Sequence, residues 1–167
     1  MQQFKELNPQ ELGDNPFRLI GKDWMLISAQ HEGVANTMTA SWGGLGVLWH
    51  RPVATVYIRP QRFTSGLVNA APTFSLCFFD ESQRENLTYC GRVSGRDEDK
   101  FARCGFDVLE VEGAPVFAQA RLALVCKKLY THDIDPARFL EESIDQNYPN
   151  KDYHRMFIGE ILRVLVK

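Results

Sequence analysis

The chain of 167 residues has no long apolar run, no strong charge of either sign and only four cysteines. Its uninterrupted apolar stretches, such as Leu122–Cys126, are a few residues long, far short of a membrane-spanning helix. The first residues, Met1–Gln10, are mostly polar and lack the apolar core of a secretory signal. The net charge of −2, from 19 basic and 21 acidic residues, offers no electrostatic case for nucleic acid or an anionic membrane. Cys77, Cys90, Cys104 and Cys126 form no CxxC pair and have no histidine at zinc-finger spacing, so no metal site is expected. They read as reduced, mostly buried thiols in a reducing compartment, which points to the cytoplasm. Walker, GxGxxG and GxSxG motifs are all missing.

What is present is ordinary globular composition: 44% hydrophobic and 24% charged residues. The size suits a single domain over residues 1–167, able to bury a core without staples. Strand-like runs lie at 24–29, 53–58 and 74–79, along a long bent strand over 116–130, and at 156–166, apolar on both faces in places. Helical signals are shorter. Ser82–Glu85 has a capping-box pattern with Gly91 as a stop, and a helix over about 97–104 ends at Gly105. Asp135-Pro136 starts a third, whose face would carry Phe139, Leu140 and Ile144. Regular βαβ alternation is missing, so the expected class is mainly β, an antiparallel barrel with short peripheral helices.

Four segments can carry chemistry. In Asn36–Gly44, strand alternation puts Thr37, Thr39 and Ser41 on one face and Asn36, Met38, Ala40 and Trp42 on the other. The hydroxyls can bond a polar heterocycle or phosphate, or simply face water on an edge strand. Arg59–Ser65 places Arg59, Arg62, Phe63 and Thr64 at the start of a helix, with Thr64 as N-cap; this is a dianion site or a pair of solvated arginines. Ser94–Phe101 offers Ser94, Gly95, Arg96 and Lys100 for phosphate, or cations paired with Asp97, Glu98 and Asp99. His154, entering the last strand, is a proton donor near neutral pH or a surface residue.

In this order, NTMTASWGGLGVLW (36–49), RPQRFT (59–64), FFDE (78–81), CGRVSGRDEDKF (90–101) and YHRMFIGEI (153–161) make the chain similar to the flavin reductase-like family over 24–167. The resemblance implies a Greek-key split β-barrel that binds FMN, in a homodimer with the flavin near the subunit interface. By position, Asn36, Thr37, Met38, Thr39, Ser41 and Trp42 would lie along the flavin ring and ribityl chain. Arg59, Arg62, Phe63 and Thr64 would hold the phosphate, and Ser94, Gly95 and Lys100 would close over the cofactor. His154 would lie by the flavin or nicotinamide as the one catalytic candidate. The implied activity is NADH- or NADPH-dependent flavin reduction, with electrons passed to an acceptor protein or oxygenase component. An electron carrier without nicotinamide turnover, or a non-redox flavin-binding module, are the alternatives. One departure is Phe117–Ala120, where relatives tend to carry acidic residues before the alanine; the change bears on groove or interface charge.

Overall fold

The computed structural model describes residues 4–167. Its sheet has the order β3-β2-β6-β9-β10-β5-β4 and is antiparallel throughout: β2 (Met25–His31), β3 (Val34–Ala40), β4 (Gly43–Leu48), β5 (Arg51–Ile58), β6 (Thr73–Phe78), β9 (Leu122–Asp133) and β10 (Arg155–Val166). A short β1 (Lys5–Leu7) pairs with the end of β10. β3 and β4 are the two edges of this path, yet only Ser41 and Trp42 join them. The Cα atoms of Ala40 and Gly43, three steps apart along the chain, can lie no more than about 11 Å from each other. The edges must therefore meet, and the sheet is a barrel split between β3 and β4.

The period-two pattern explains why some strands are apolar on both faces. On β6, Phe74, Leu76 and Phe78 point into the barrel while Cys77 joins a second core outside it. On β9, Leu122, Leu124 and Cys126 point inward and Ala123 and Val125 outward. That outer core is covered by a hairpin of β7 (Val108–Val111) and β8 (Ala114–Phe117) and by Leu87 and Cys90 of a helix, α3 (Arg84–Arg92). Each large side chain buried this way stabilises the fold by roughly 1.5–3 kcal/mol. Among the described residues three further α-helices are short: α1 (Pro16–Arg18), α2 (Phe63–Ala70) and α4 (Lys100–Cys104).

Several local expectations need correction. The run over 116–130 is two strands, broken at Ala118–Arg121, where Gln119 bonds Gly105 O, Asp107 N and Asp107 Oδ2. Apolar periodicity cannot register a turn made of small residues and fixed by one distant amide. None of Phe117–Ala120 lines either cavity of the groove described below. α3 follows a 3-10 turn and has no side-chain cap, and Gly91 lies inside its last turn, against Thr39. The Asp135 side chain does act as the N-cap, accepting from Ala137 N, but only a 3-10 turn forms there; Phe139 stacks on Tyr148, and Leu140 is fully exposed. α4 runs as expected to Gly105, whose φ of 65° closes the helix in the left-handed region.

Candidate flavin site at the split of the barrel

Two cavities follow the outer side of β3. One, about 230 Å³, sits at the split and is lined by Met38–Trp42, Tyr57, Arg59, Arg62 and His154. The other, about 180 Å³, is lined by Asn36, Gln61–Thr64, Arg92–Arg96 and Lys100. Arg62 lines both, so they form one groove with an arginine at its waist. A larger cleft of about 430 Å³ lies elsewhere, beside α1. Its Arg121 already pairs with Asp14 and Asp23 and its Arg84 with Glu81, so it has little cationic charge to offer.

β3 is an edge strand, so the outer side of its backbone has no strand partner. Thr37 O on that side accepts from Lys100 Nζ at 2.8 Å. Antiparallel alternation puts the backbone N–H of Thr39 on the same side, facing the groove. The hydroxyl row is largely spent inside the protein. Thr37 Oγ1 donates to Ile27 O and accepts from Ser28, and Thr39 Oγ1 donates to Leu87 O of α3. Asn36 points the other way, donating to Thr64 Oγ1 at 2.9 Å. Thr64 is therefore not the N-cap; Arg62 holds that position, and no side chain caps α2. Ser65 N–H donates to Arg62 O, which leaves the N–H groups of Phe63 and Thr64 as the uncapped ones at the start of α2.

The four cations expected by sequence fare differently. Arg59 is committed: it pairs with Asp152 at 2.7 Å, donates to Asn147 O and lies over the Tyr148 ring. Lys100 is buried, 2% exposed, and its ammonium also donates to Cys90 O at 2.8 Å. Burial, then the nearby Arg62 charge, pull its pKa down to about 8. Arg96 donates to Gln61 O and lies over Phe63. Arg62 meets only backbone, donating to Gly91 O at 2.8 Å and Cys90 O at 3.4 Å, and burial lowers its pKa. It is a desolvated cation without a carboxylate, the state an incoming anion relieves.

Arg62, Arg92, Arg96 and Lys100 line the smaller cavity, and among the described residues no Asp or Glu does; the carboxylates of Asp97, Glu98 and Asp99 line an adjoining cavity that shares Gly95, Arg96 and Lys100. That donor set fits a phosphate monoester. Gly95 closes the cavity against Asn36: a Cβ there would overlap the Asn36 carboxamide. Gly95→Ala should displace Asn36 from Thr64, cost about 1–3 kcal/mol in unfolding free energy and weaken phosphate-ester binding. Denaturant melts and ligand titrations of the two proteins check both effects.

His154 is buried at the opposite end, its ring 5.2 Å from that of Trp42, with Nδ1 2.8 Å from the Tyr148 hydroxyl. Burial, reinforced by the Arg59 charge, lowers its pKa to about 4. It is therefore neutral at pH 7. Ser41 and Trp42, linking the edges, line the same cavity.

A flavin reductase-like domain model matches residues 17–167. The chain belongs to the flavin reductase-like family. Its fold is similar to flavoredoxin from Methanosarcina acetivorans, with a TM-score of 0.70 and 24% identity over 87% of this chain and 68% of that one. It is also similar to an FMN-binding domain of a flavin reductases-like enzyme from Shewanella baltica, with a TM-score of 0.71 and 21% identity over 98% of this chain and 76% of that one. An uncharacterised protein of Aeropyrum pernix is 29% identical over 103 residues, 60% of this chain; the match spans 39% of that protein's length.

Within this flavin reductase-like domain, Tyr57, Gln61 and Arg92 line the groove without having been singled out in the sequence. Tyr57 belongs to β5, across the split, and Arg92 to the last turn of α3. Only the meeting of the barrel edges and the packing of α3 on β3 bring them in.

Proposed function

We propose that the protein binds FMN along the outer side of β3 and catalyses NADH- or NADPH-dependent flavin reduction, passing electrons to an acceptor. The observation that carries this reading is the small cavity lined by Arg62, Arg92, Arg96 and Lys100, next to the cavity at the split, with Arg62 on the wall of both. Arg62, Arg92, Arg96 and the start of α2 would hold the phosphate. Lys100 would act mainly by fixing β3 to α3, since its ammonium is already shared by Thr37 O and Cys90 O. Met38 to Trp42 would flank the ring, with the Thr39 N–H offering a hydrogen bond to its polar edge. When bound, FMN supplies the redox chemistry, accepting hydride from a nicotinamide and releasing electrons onward. His154, neutral and held by Tyr148, contributes a hydrogen-bonding wall that keeps its orientation across physiological pH.

A homodimer would complete the groove. Trp42, Val47, Trp49 and Tyr130 are exposed large hydrophobics on or near the split and its β4 edge, and Trp42 is itself a groove wall. Apolar area of this kind is commonly covered by a partner. The four free thiols suit a reducing compartment such as the cytoplasm.

Anaerobic mixing of the FMN-loaded protein with NADH or NADPH separates the reductase from an electron carrier. Rapid bleaching of the flavin absorbance is the expected result. Bleaching by dithionite but by neither nicotinamide would leave a flavin protein without nicotinamide turnover.

A further inference from the structure

Cys90 and Cys104 carry a chemistry that flavin binding does not use. Their sulfurs are 3.7 Å apart, in contact between α3 and α4, while Cys77 and Cys126 are fully buried elsewhere. Lys100 and Cys104 are four residues apart on α4 and so share a face. That face meets Cys90 twice: Lys100 Nζ donates to its carbonyl, and the Cys104 thiol touches its thiol. The Cys90 carbonyl also accepts from Arg62, so this contact lies directly behind the cation cluster.

The geometry points to a modification site: Cys90 and Cys104 form a reversible intrachain disulfide with a hydroperoxide as oxidant, and closing it loosens the phosphate cavity. The effect on the cavity rests on the FMN reading above. Cys104 is the entry point, being half-buried where Cys90 is fully buried. Burial raises both thiol pKa values; at Cys104 the contact with Cys90 and the Arg103 and Lys100 charges act against that rise. The Cys104 thiolate attacks hydrogen peroxide; an S–O bond forms, the O–O bond breaks, and hydroxide leaves as water after taking a proton. The Cys90 sulfur then attacks the Cys104 sulfur; the S–S bond forms, the S–O bond breaks, and the Cys90 proton leaves with the hydroxyl as a second water. Two thiols are oxidised, and one peroxide is reduced to two waters.

Bringing the sulfurs to about 2.05 Å draws the end of α4 towards α3. The loop between these helices carries Ser94, Gly95 and Arg96, all on the cavity wall. The wall is tight here, since even a Cβ on Gly95 would overlap the Asn36 carboxamide, so a shift of this loop would disturb the cavity.

The test treats the full-length protein with hydrogen peroxide, digests it without reductant and identifies the linked peptides by mass, with FMN titrations before and after. The expected results are a Cys90–Cys104 link reversed by dithiothreitol and FMN binding about tenfold weaker in the oxidised form. Cys104→Ser, at the less buried position, should abolish the link and keep its FMN affinity under peroxide; Cys104→Ala serves if the serine variant misfolds. The proposal is overturned if no link forms, if the link joins another cysteine, or if oxidised and reduced protein bind FMN equally. Failure of the reduced protein to bind FMN would instead sink the reading of the groove, and the peptide masses would still decide the disulfide.

Discussion

Arg62→Ala should weaken FMN binding about a hundredfold and leave riboflavin binding nearly unchanged. Riboflavin lacks only the phosphate, so the pair of ligands isolates the group that Arg62 is argued to hold. The size follows from losing a charge-assisted contact in a partly desolvated cavity, roughly 1.5–3 kcal/mol. Affinity in the variant should also depend less on salt, because one cation has left the anion's surroundings. Arg59→Ala makes the contrast. Arg59 already faces Asp152, so its removal should change FMN affinity far less than the removal of Arg62. Fluorescence titrations of both ligands at two salt concentrations measure all of this. Equal losses for the two arginine variants would mean that the phosphate lies between them rather than beyond Arg62.

The second large effect is on stability in acid. His154 has its folded pKa lowered from the ordinary 6.5 to about 4 by burial and by Arg59. Between those values the unfolded chain binds a proton that the folded protein refuses, so stability rises with pH across the window. The contribution is complete above pH 6.5 and is lost as pH falls to about 4, amounting to about 3 kcal/mol. Asp133, Asp145 and Asp152, whose pKa values are lowered, act at more acid pH. His154→Asn, whose amide oxygen can still accept from Tyr148, should flatten the urea-unfolding profile between pH 6.5 and 4 relative to wild type. An unchanged slope would place the acid sensitivity in another residue.

Much of this architecture is legible from residue order because alternation is a local property. Phe74, Leu76 and Phe78 against Cys77 already mark a strand with a core on each side. Asp99 with Gly105 brackets α4 because capping and left-handed backbone are local too. What stays hidden depends on distant partners. Nothing near Arg59 announces Asp152, 93 positions away, so the two arginines look equivalent until the chain is folded. Lys100 reads as a free cation because the carbonyls that take its protons belong to β3 and α3. The hydroxyl row of Thr37 and Thr39 is correctly placed on one face, but that face meets Ser28 and α3, and the strand's backbone edge is what the groove presents. Arg92 escapes notice because a helix-terminal arginine is ordinary in sequence and becomes part of a cation cluster only through packing.

The most direct test of the central claim is a crystal structure of the protein with FMN. The account predicts the phosphate between Arg62, Arg92 and Arg96 at the start of α2, and the ring beside Met38–Trp42 at the split of the barrel. A phosphate in the cleft beside α1, or a ring away from the β3 edge, would contradict it.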